Sequence, residues 1–212
     1  MADADTKDRI LDAAEHLYAR KGYHSTSLRE ITGQAGVNLA AVNYHFGSKE
    51  NLLRAILERR IVPLNEVRLE LLKKVKEQAI SENRRPGVRD IFHTFIEPAI
   101  SWFSDDRENS DFMILVGRVH SDPDQTIRSY FLNLMYPAFH VYFETFCEAM
   151  PGCERETVFQ RFLFAIGAMA HAIRGIPTVH TDLLPEGVSG GFDTKTLTES
   201  LVDFVTRGME GG

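Results

Sequence analysis

Apolar residues recur at intervals of three and four along nearly the whole of this 212-residue chain, and the alternation typical of strands is almost absent. Such spacing places apolar side chains on one face of a helix, so the sequence predicts an all-α protein. The first helix is predicted from about Thr6 to Lys21, with Gly22 as the residue that stops it. Later helices are predicted at about 88–104, 110–121, 124–149, 155–175 and 194–208.

Two short helices joined by a tight turn are predicted between the first helix and residue 48. Ser27 and Glu30 have the spacing of a capping box, in which each side chain accepts a hydrogen bond from the other residue's backbone N–H. Gly36 marks the turn, and the next helix is predicted over Leu39 to His45. This arrangement is typical of a helix-turn-helix, whose second helix enters the major groove of DNA.

Breaks in composition predict two domains. A polar stretch at 81–87 separates the first helices from the rest, and residues 177–191 contain enough Pro and Gly to predict a long loop. We expect a helix-turn-helix DNA-binding domain over residues 1–50, a fourth helix over about 48–80 that connects it, and a second domain over 51–212. Prolines inside three of the predicted helices predict bends there, at Pro63, Pro98 and Pro137.

The net charge of −6 alone argues against nucleic acid, but its distribution changes that view. The first sixty residues carry nine Lys or Arg and eight Asp or Glu, so the excess acid lies in the rest of the chain. Two cysteines, no apolar run of membrane-spanning length and no secretory signal at the N-terminus predict a cytoplasmic protein without a membrane partner.

The third helix presents a candidate reading face. Val42 and Phe46 are four residues apart and are expected to face the core, which leaves small and polar side chains on the other face. Small residues allow a helix to approach base edges, Asn pairs with adenine, and a Tyr hydroxyl reaches phosphate. We expect contacts to DNA from Ala40, Ala41, Asn43 and Tyr44. A short structural helix in a bundle would explain the alanines equally well.

Basic residues at two helix starts strengthen the DNA hypothesis. A cation in the first turn opposes the helix macrodipole, whereas a docked phosphate would be stabilised by both the cation and the exposed N–H groups. Arg29 and Lys49 occupy such positions, and hydroxyls occur beside them at Thr26, Ser27 and Ser48. All five are predicted to hold phosphate.

Residues 7–57 resemble the DNA-binding domain of TetR/AcrR-family transcriptional regulators, through ILDAAEHLYARKGY, TSLREI, AGV and YHFGSKENLL. The resemblance implies a homodimer, a palindromic operator in double-stranded DNA, and a C-terminal domain that binds a small-molecule effector. It also implies that Leu39 to His45 is the base-contacting helix and that Lys49 contacts phosphate. The family often has Thr where this chain has Ala41 and Tyr where it has Asn43. The resemblance therefore predicts the fold but not the operator sequence.

The helices over 91–171 are rich in aromatic residues with a few polar groups among them, the composition of a small-molecule site. The candidate lining residues are His93, Phe95, Trp102, Arg118, Tyr136, Phe139, His140, Phe143, Phe162 and His171. Arg118 is the first candidate for an anionic head group, because burying its charge requires a partner. Most of these aromatics would serve equally well as plain core. The effector is expected to be largely apolar.

The last two helices, 155–175 and 194–208, carry apolar stripes that predict a four-helix dimer interface, although the same stripes could pack within one subunit. We interpret the protein as a ligand-responsive transcriptional repressor that uses no metal or cofactor. An enzyme or a helical carrier using the C-terminal pocket is the alternative. Metalloprotease, phosphate-loop and dinucleotide motifs are all missing from the sequence.

Overall fold

A computed structural model of the protein describes residues 2–104, 107–175 and 193–211. Every regular element within these ranges is an α-helix, which confirms the predicted all-α class. The helices are α1 (Ala2–Lys21), α2 (Leu28–Ala35), α3 (Leu39–Phe46), α4 (Lys49–Ser81), α5 (Val88–Ser104), α6 (Arg107–His120), α7 (Gln125–Ala149), α8 (Arg155–Gly175) and α9 (Thr194–Glu210).

Helix positions follow the sequence prediction closely, with small differences at the ends. α1 begins at Ala2 and α6 at Arg107, earlier than the apolar periodicity indicated, because polar turns extend both helices. Gly22 ends α1 with a φ of 86°, as predicted. Three prolines lie inside α4, α5 and α7, and the predicted bends there stay predictions. The loop predicted over 177–191 lies outside the described residues.

Packing divides the chain into two compact units. The first comprises residues 1–63 and 107–135, and the second comprises 64–106 and 136–212. α4 and α7 each contribute to both units, because the divisions fall at residues 63 and 135. The functional division at residue 50 stays a prediction.

The first unit is built on α1, which packs against α2, α3 and α6. Its apolar positions recur at helical spacing, so one face of α1 is buried while Asp5, Asp8 and Asp12 stay exposed. Side chains with no exposed surface form the centre of this unit, namely Ile10, Ala14, Tyr18, Ile31, Val42, Leu52, Ile56 and Leu57.

A buried ionic cluster joins α1 to α4 within the first unit. Glu15 is only 3% exposed, and its carboxylate accepts hydrogen bonds from Arg59 at 2.9 Å and from Arg60 at 3.0 Å. Arg59 also reaches Asp12 at 2.6 Å. A carboxylate this deeply buried is tolerated because two guanidinium groups compensate its charge.

The second unit is held together by α5, α8 and α9, each of which packs against the other two. An aromatic cluster, defined here as Phe92, Phe95, Phe139, Tyr142, Phe146 and Phe162, fills its interior. Neighbouring ring centroids lie 4.5–5.4 Å apart. Tilted, edge and stacked contacts at these distances are favourable ring geometries, so the cluster supplies much of the apolar packing.

Replacing Glu15 with Gln is expected to lower the free energy of unfolding by about 3 kcal/mol, because both arginines would lose their buried counter-charge. Urea denaturation followed by circular dichroism measures the decrease. Asp12→Asn is the matched control, since Asp12 is 53% exposed and its pair with Arg59 is worth less than about 1 kcal/mol. Equal decreases in the two variants would contradict the assignment.

Candidate nucleic-acid interface and effector region

The predicted capping box forms at the start of α2. The Ser27 hydroxyl accepts from the backbone N–H of Glu30 at 3.2 Å, and a Glu30 carboxylate oxygen accepts from the backbone N–H of Ser27 at 2.8 Å. Lys21 donates to the same carboxylate at 2.7 Å. These hydrogen bonds lower the pKa of Glu30 to about 2, the Lys21 contact being the largest cause. The start of α2 is therefore fixed by local chemistry.

The turn between α2 and α3 depends on Gly36, whose φ of 65° lies in the left-handed region that favours glycine. α3 then begins after Asn38, whose side-chain oxygen accepts from the backbone N–H of Ala41 at 2.9 Å. Arg9 of α1 donates to the carbonyls of Ala35 and Gly36. At the other end of α3 the backbone N–H of Gly47 donates to the carbonyl of Asn43, so capping at both ends holds this helix of only eight residues in place.

α3 buries a narrow stripe and exposes the rest of its surface. Val42 and Phe46 are 0% and 8% exposed, as the spacing predicted. On the other faces Ala40 and Asn43 are exposed, Ala41 and His45 are half-buried, and Tyr44 is 79% exposed. Leu39 is 41% exposed. Large apolar and aromatic side chains left in solvent on one short helix are a mark of a contact surface.

Of the residues predicted to hold phosphate, Ser27, Arg29 and Ser48 are exposed and Lys49 is half-buried. Thr26 differs from them. It is 2% exposed, and its hydroxyl donates to the carbonyl of Gly22 at 2.8 Å, just beyond the end of α1. The sequence placed it with Ser27 because both are hydroxyl residues before a helix, whereas the structure gives it the role of a buried cap.

Lys49 is held by aromatic rings. Its Nζ lies 4.4 Å from the ring centroid of Tyr23 and 6.0 Å from that of Tyr18. Partial burial lowers the pKa of Lys49, and the charge of Glu30 opposes that shift. The neighbouring carboxylates already have partners, Glu30 in Lys21 and Glu50 in Arg54. Since no carboxylate of the described residues lies within 4.0 Å of Nζ, the ammonium group is oriented but not neutralised.

The predicted effector residues fall into separate groups. Phe95, Phe139 and Phe162 belong to the aromatic cluster, and the last two rings stack with centroids 4.9 Å apart. Phe143 packs on Phe159 at the edge of the cluster, and Tyr136 stacks on His140 while remaining 60% exposed.

The other members of the set are three further residues of the second unit and one of the first. His93 contacts Glu199 at 3.2 Å, His171 is exposed and Trp102 is half-buried. Arg118 belongs to the first unit, where its Nε donates to the carbonyl of Ala19 at 2.9 Å and its Nη2 to that of Arg20 at 3.3 Å. The partner that its charge requires is therefore the C-terminal end of α1, where a cation also complements the helix macrodipole.

Sequence reasoning missed Arg68, a cation inside the second unit that is only 1% exposed. It occupies an apolar position of α4, four residues after Leu64 and four before Leu72, both of which are buried. A charged residue in phase with a buried stripe was the available sign.

The described residues form a cleft, but they contain neither a metal site nor a membrane-spanning helix. The cleft, of about 560 Å³, lies in the first unit and is lined by Lys7, Asp8, Leu11, Ala55, Glu58, Arg59, Val62, Pro63 and Leu134. None of the predicted effector residues lines it. Across the described ranges we find no cluster of His, Cys, Asp and Glu suited to a metal ion, and no helix with the length and apolarity needed to cross a membrane.

Comparison with known proteins agrees with this geometry. The family model for the tetracyclin repressor-like C-terminal domain matches residues 93–208, and that for bacterial regulatory proteins of the tetR family matches residues 10–56. The HTH-type transcriptional regulator AcrR of Shigella flexneri is 33% identical over 105 residues, which make up 42% of this chain and 49% of that protein. The chain thus spans about half the length, or less, of the curated relatives it matches.

Two solved structures share the fold. A regulatory protein of the tetR family from Rhodococcus RHA1 has a TM-score of 0.69 at 18% identity, covering 97% of each chain. The transcriptional regulator FadR of Bacillus subtilis, solved in complex with stearoyl-CoA, has a TM-score of 0.68 at 17% identity, covering 95% of this chain and 98% of that one. At such identities the likeness establishes the fold alone.

The capped pair α2–α3 and the exposed face of α3 define a protein of the helix-turn-helix class. With family models matching residues 10–56 and 93–208, the chain belongs to the tetR family of bacterial regulatory proteins.

The contact between Tyr23 and Lys49 predicts a role for the tyrosine ring in phosphate binding. Tyr23→Leu is expected to weaken binding to a mixed-sequence duplex about two- to fivefold, because an exposed cation–π contact is worth about 0.5–1 kcal/mol. Fluorescence anisotropy at low salt measures the affinity.

Tyr23→Phe keeps the ring and is expected to bind as the unaltered protein does. Lys49→Ala is expected to make the dependence of log affinity on log salt shallower by about 0.9 for each phosphate that the protein no longer neutralises. An unchanged salt dependence would remove Lys49 from the DNA face.

Proposed function

We propose that this protein is a homodimeric transcriptional repressor that binds a palindromic operator and leaves it when a small, largely apolar effector binds. The observation that carries the proposal is the exposed face of α3, eight residues capped at both ends and flanked by basic helix starts. In this scheme residues 1–50 bind DNA, and residues 51–212 bind the effector and dimerise. The protein acts in the cytoplasm, where the bacterial chromosome lies.

The assigned division of labour on DNA follows from side-chain chemistry. Asn43 and Tyr44 project from α3 and are assigned to base edges and the adjoining backbone, while the small side chains of Ala40 and Ala41 allow close approach. Phosphates are assigned to the hydroxyls of Ser27 and Ser48 and to the cations Arg29 and Lys49. Phosphate contacts set register and affinity, whereas base contacts set the preferred sequence.

Exposed apolar residues on α8 and α9 support dimerisation through these helices. On α8, Phe159, Leu163 and Phe164 are 41%, 44% and 73% exposed, and on α9 Phe204 is 67% exposed. The apolar stripe of α9 comprises Leu197, Leu201, Phe204 and Val205. Leu201 and Val205 are buried within the subunit and Leu197 is half-buried, so Phe204 offers the most surface to a partner. Burial of such residues against a second copy would form an isologous interface.

The aromatic cluster supports an apolar effector, and the stearoyl-CoA complex of FadR is a precedent on the same fold for a ligand with an apolar chain. Release from DNA requires only that the effector bind more tightly to a conformation with lower operator affinity. Repression is proposed because the C-terminal half matches a repressor-like domain.

Selection from a random duplex library is expected to return a palindrome with half-sites about 34–36 Å apart, one helical turn or a multiple of it. Asn43→Ala is expected to relax the preference at one base pair of each half-site, by about 1–3 kcal/mol. Lys49→Ala is expected to weaken all sequences alike. A carrier or an enzyme would select no duplex, and that result would overturn the proposal.

Phe204→Glu combined with Phe164→Glu is expected to convert the dimer to a monomer, because two charges would be buried in each half of the interface. Analytical ultracentrifugation gives the mass. Ile80→Glu is the matched control, since Ile80 is 75% exposed on α4, outside the proposed interface. Dissociation by the control, or a double variant that stays dimeric, would exclude α8 and α9 as the interface.

A further inference from the structure

Arg68 is the bulkiest fully buried side chain among the described residues, at 1% exposed. Its Nε donates to the backbone carbonyl of Phe95 at 2.9 Å, and its Nη2 lies 3.8 Å from the sulfur of Met169. The guanidinium carbon lies 4.0 Å from the ring centroid of Phe95. A carbonyl, a thioether and a ring are all neutral, so none of these groups compensates the charge.

The charge of Arg68 persists despite its burial. Loss of solvent lowers the pKa of Arg68 to about 10, and Tyr142 opposes the shift, so the guanidinium is protonated at neutral pH. Within the described ranges no carboxylate lies within 4.0 Å of it. A cation in such a place ordinarily has an anionic partner, because the loss of hydration is otherwise uncompensated.

The first unit shows how this same chain treats a buried charge when it supplies the counter-charge itself. Glu15, at 3% exposed, is bound by two arginines. The polar groups beside Arg68 are already engaged with each other, since the Tyr142 hydroxyl donates to the backbone carbonyl of Arg68 at 2.9 Å and contacts the Thr94 hydroxyl at 3.0 Å. They offer no negative charge.

The surroundings of Arg68 indicate which anions would fit. Phe95, which stacks on the guanidinium, is in edge contact with Tyr142 at 4.9 Å and with Phe162 at 5.4 Å. An inorganic anion would contact the charge alone, whereas an organic acid with an apolar body would contact both the charge and the rings. A guanidinium also pairs with a carboxylate through two parallel hydrogen bonds.

We propose that Arg68 binds the carboxylate of an amphiphilic effector whose apolar body lies in the aromatic cluster. The inference rests on the proposed ligand-responsive function and narrows its effector to organic acids. Met169 is the group that the carboxylate displaces: its sulfur is a weak acceptor, its side chain is flexible, and it is 9% exposed.

Calorimetric titration with laurate below its micelle concentration tests the proposal, with dodecanol as a neutral ligand of equal length and acetate as a small anion. Laurate is expected to bind the unaltered protein, and Arg68→Met is expected to weaken it at least about tenfold. Dodecanol is expected to bind both proteins equally and more weakly than laurate binds the unaltered one. Arg161→Met is the matched control, because Arg161 also donates to a backbone carbonyl, that of Met209, and should retain laurate binding.

Met169→Ala gives an independent test that leaves Arg68 in place. Removing the competing sulfur is expected to tighten laurate binding severalfold, and weaker binding would count against the proposed displacement. The proposal is overturned if laurate fails to bind, if Arg68→Met binds it as the unaltered protein does, or if acetate binds as tightly as laurate. Duplex binding measured on the same samples without laurate separates the two proposals. If the unaltered protein binds laurate but no duplex, the proposed repressor function is wrong and the anion site at Arg68 stands.

Discussion

The cost of removing a charge from water is the constraint on which the rest of this structure depends. In the first unit the chain meets it with its own residues, since Glu15 on α1 is compensated by Arg59 and Arg60 on α4. That pairing fixes α4 against α1, the helix on which α2 and α3 also pack. A helix of eight residues has little stability of its own, so α3 depends on this framework for its position.

The same framework explains why α3 can expose most of its surface to solvent. Only Val42 and Phe46 anchor it to the core, and capping by Asn38 satisfies its first N–H groups. Since the stability of α3 comes from its two ends and from one narrow buried stripe, its other residues do not have to pack against the core. The amino acids at those positions can therefore vary without loss of the fold. Such variation is required if regulators that share one fold are to bind different operators.

Local rules made most of the fold predictable, and long-range contacts account for what was missed. The capping box at Ser27, the stop at Gly22 and the stripe of Val42 and Phe46 each follow from residues a few positions apart. Arg118 depended on a partner that spacing does not reveal, the end of α1 from 98 residues away. Thr26 is the exception, since its hydroxyl donates to the carbonyl of Gly22, only four residues away. Arg68 was missed because one charged residue in an amphipathic helix ordinarily points to solvent.

Two cations in this protein lie over aromatic rings, an arrangement that could not be predicted from the sequence. Lys49 lies over the ring of Tyr23, and Arg68 lies over that of Phe95. No carboxylate of the described residues lies within 4.0 Å of either cation. A ring orients a cation through its quadrupole but carries no net charge, so the field of the cation extends to a further partner. A salt bridge would have fixed each side chain equally well and cancelled that field. Holding a cation with a ring therefore keeps it rigid and still attractive to an anion, which suits a phosphate at Lys49 and a carboxylate at Arg68.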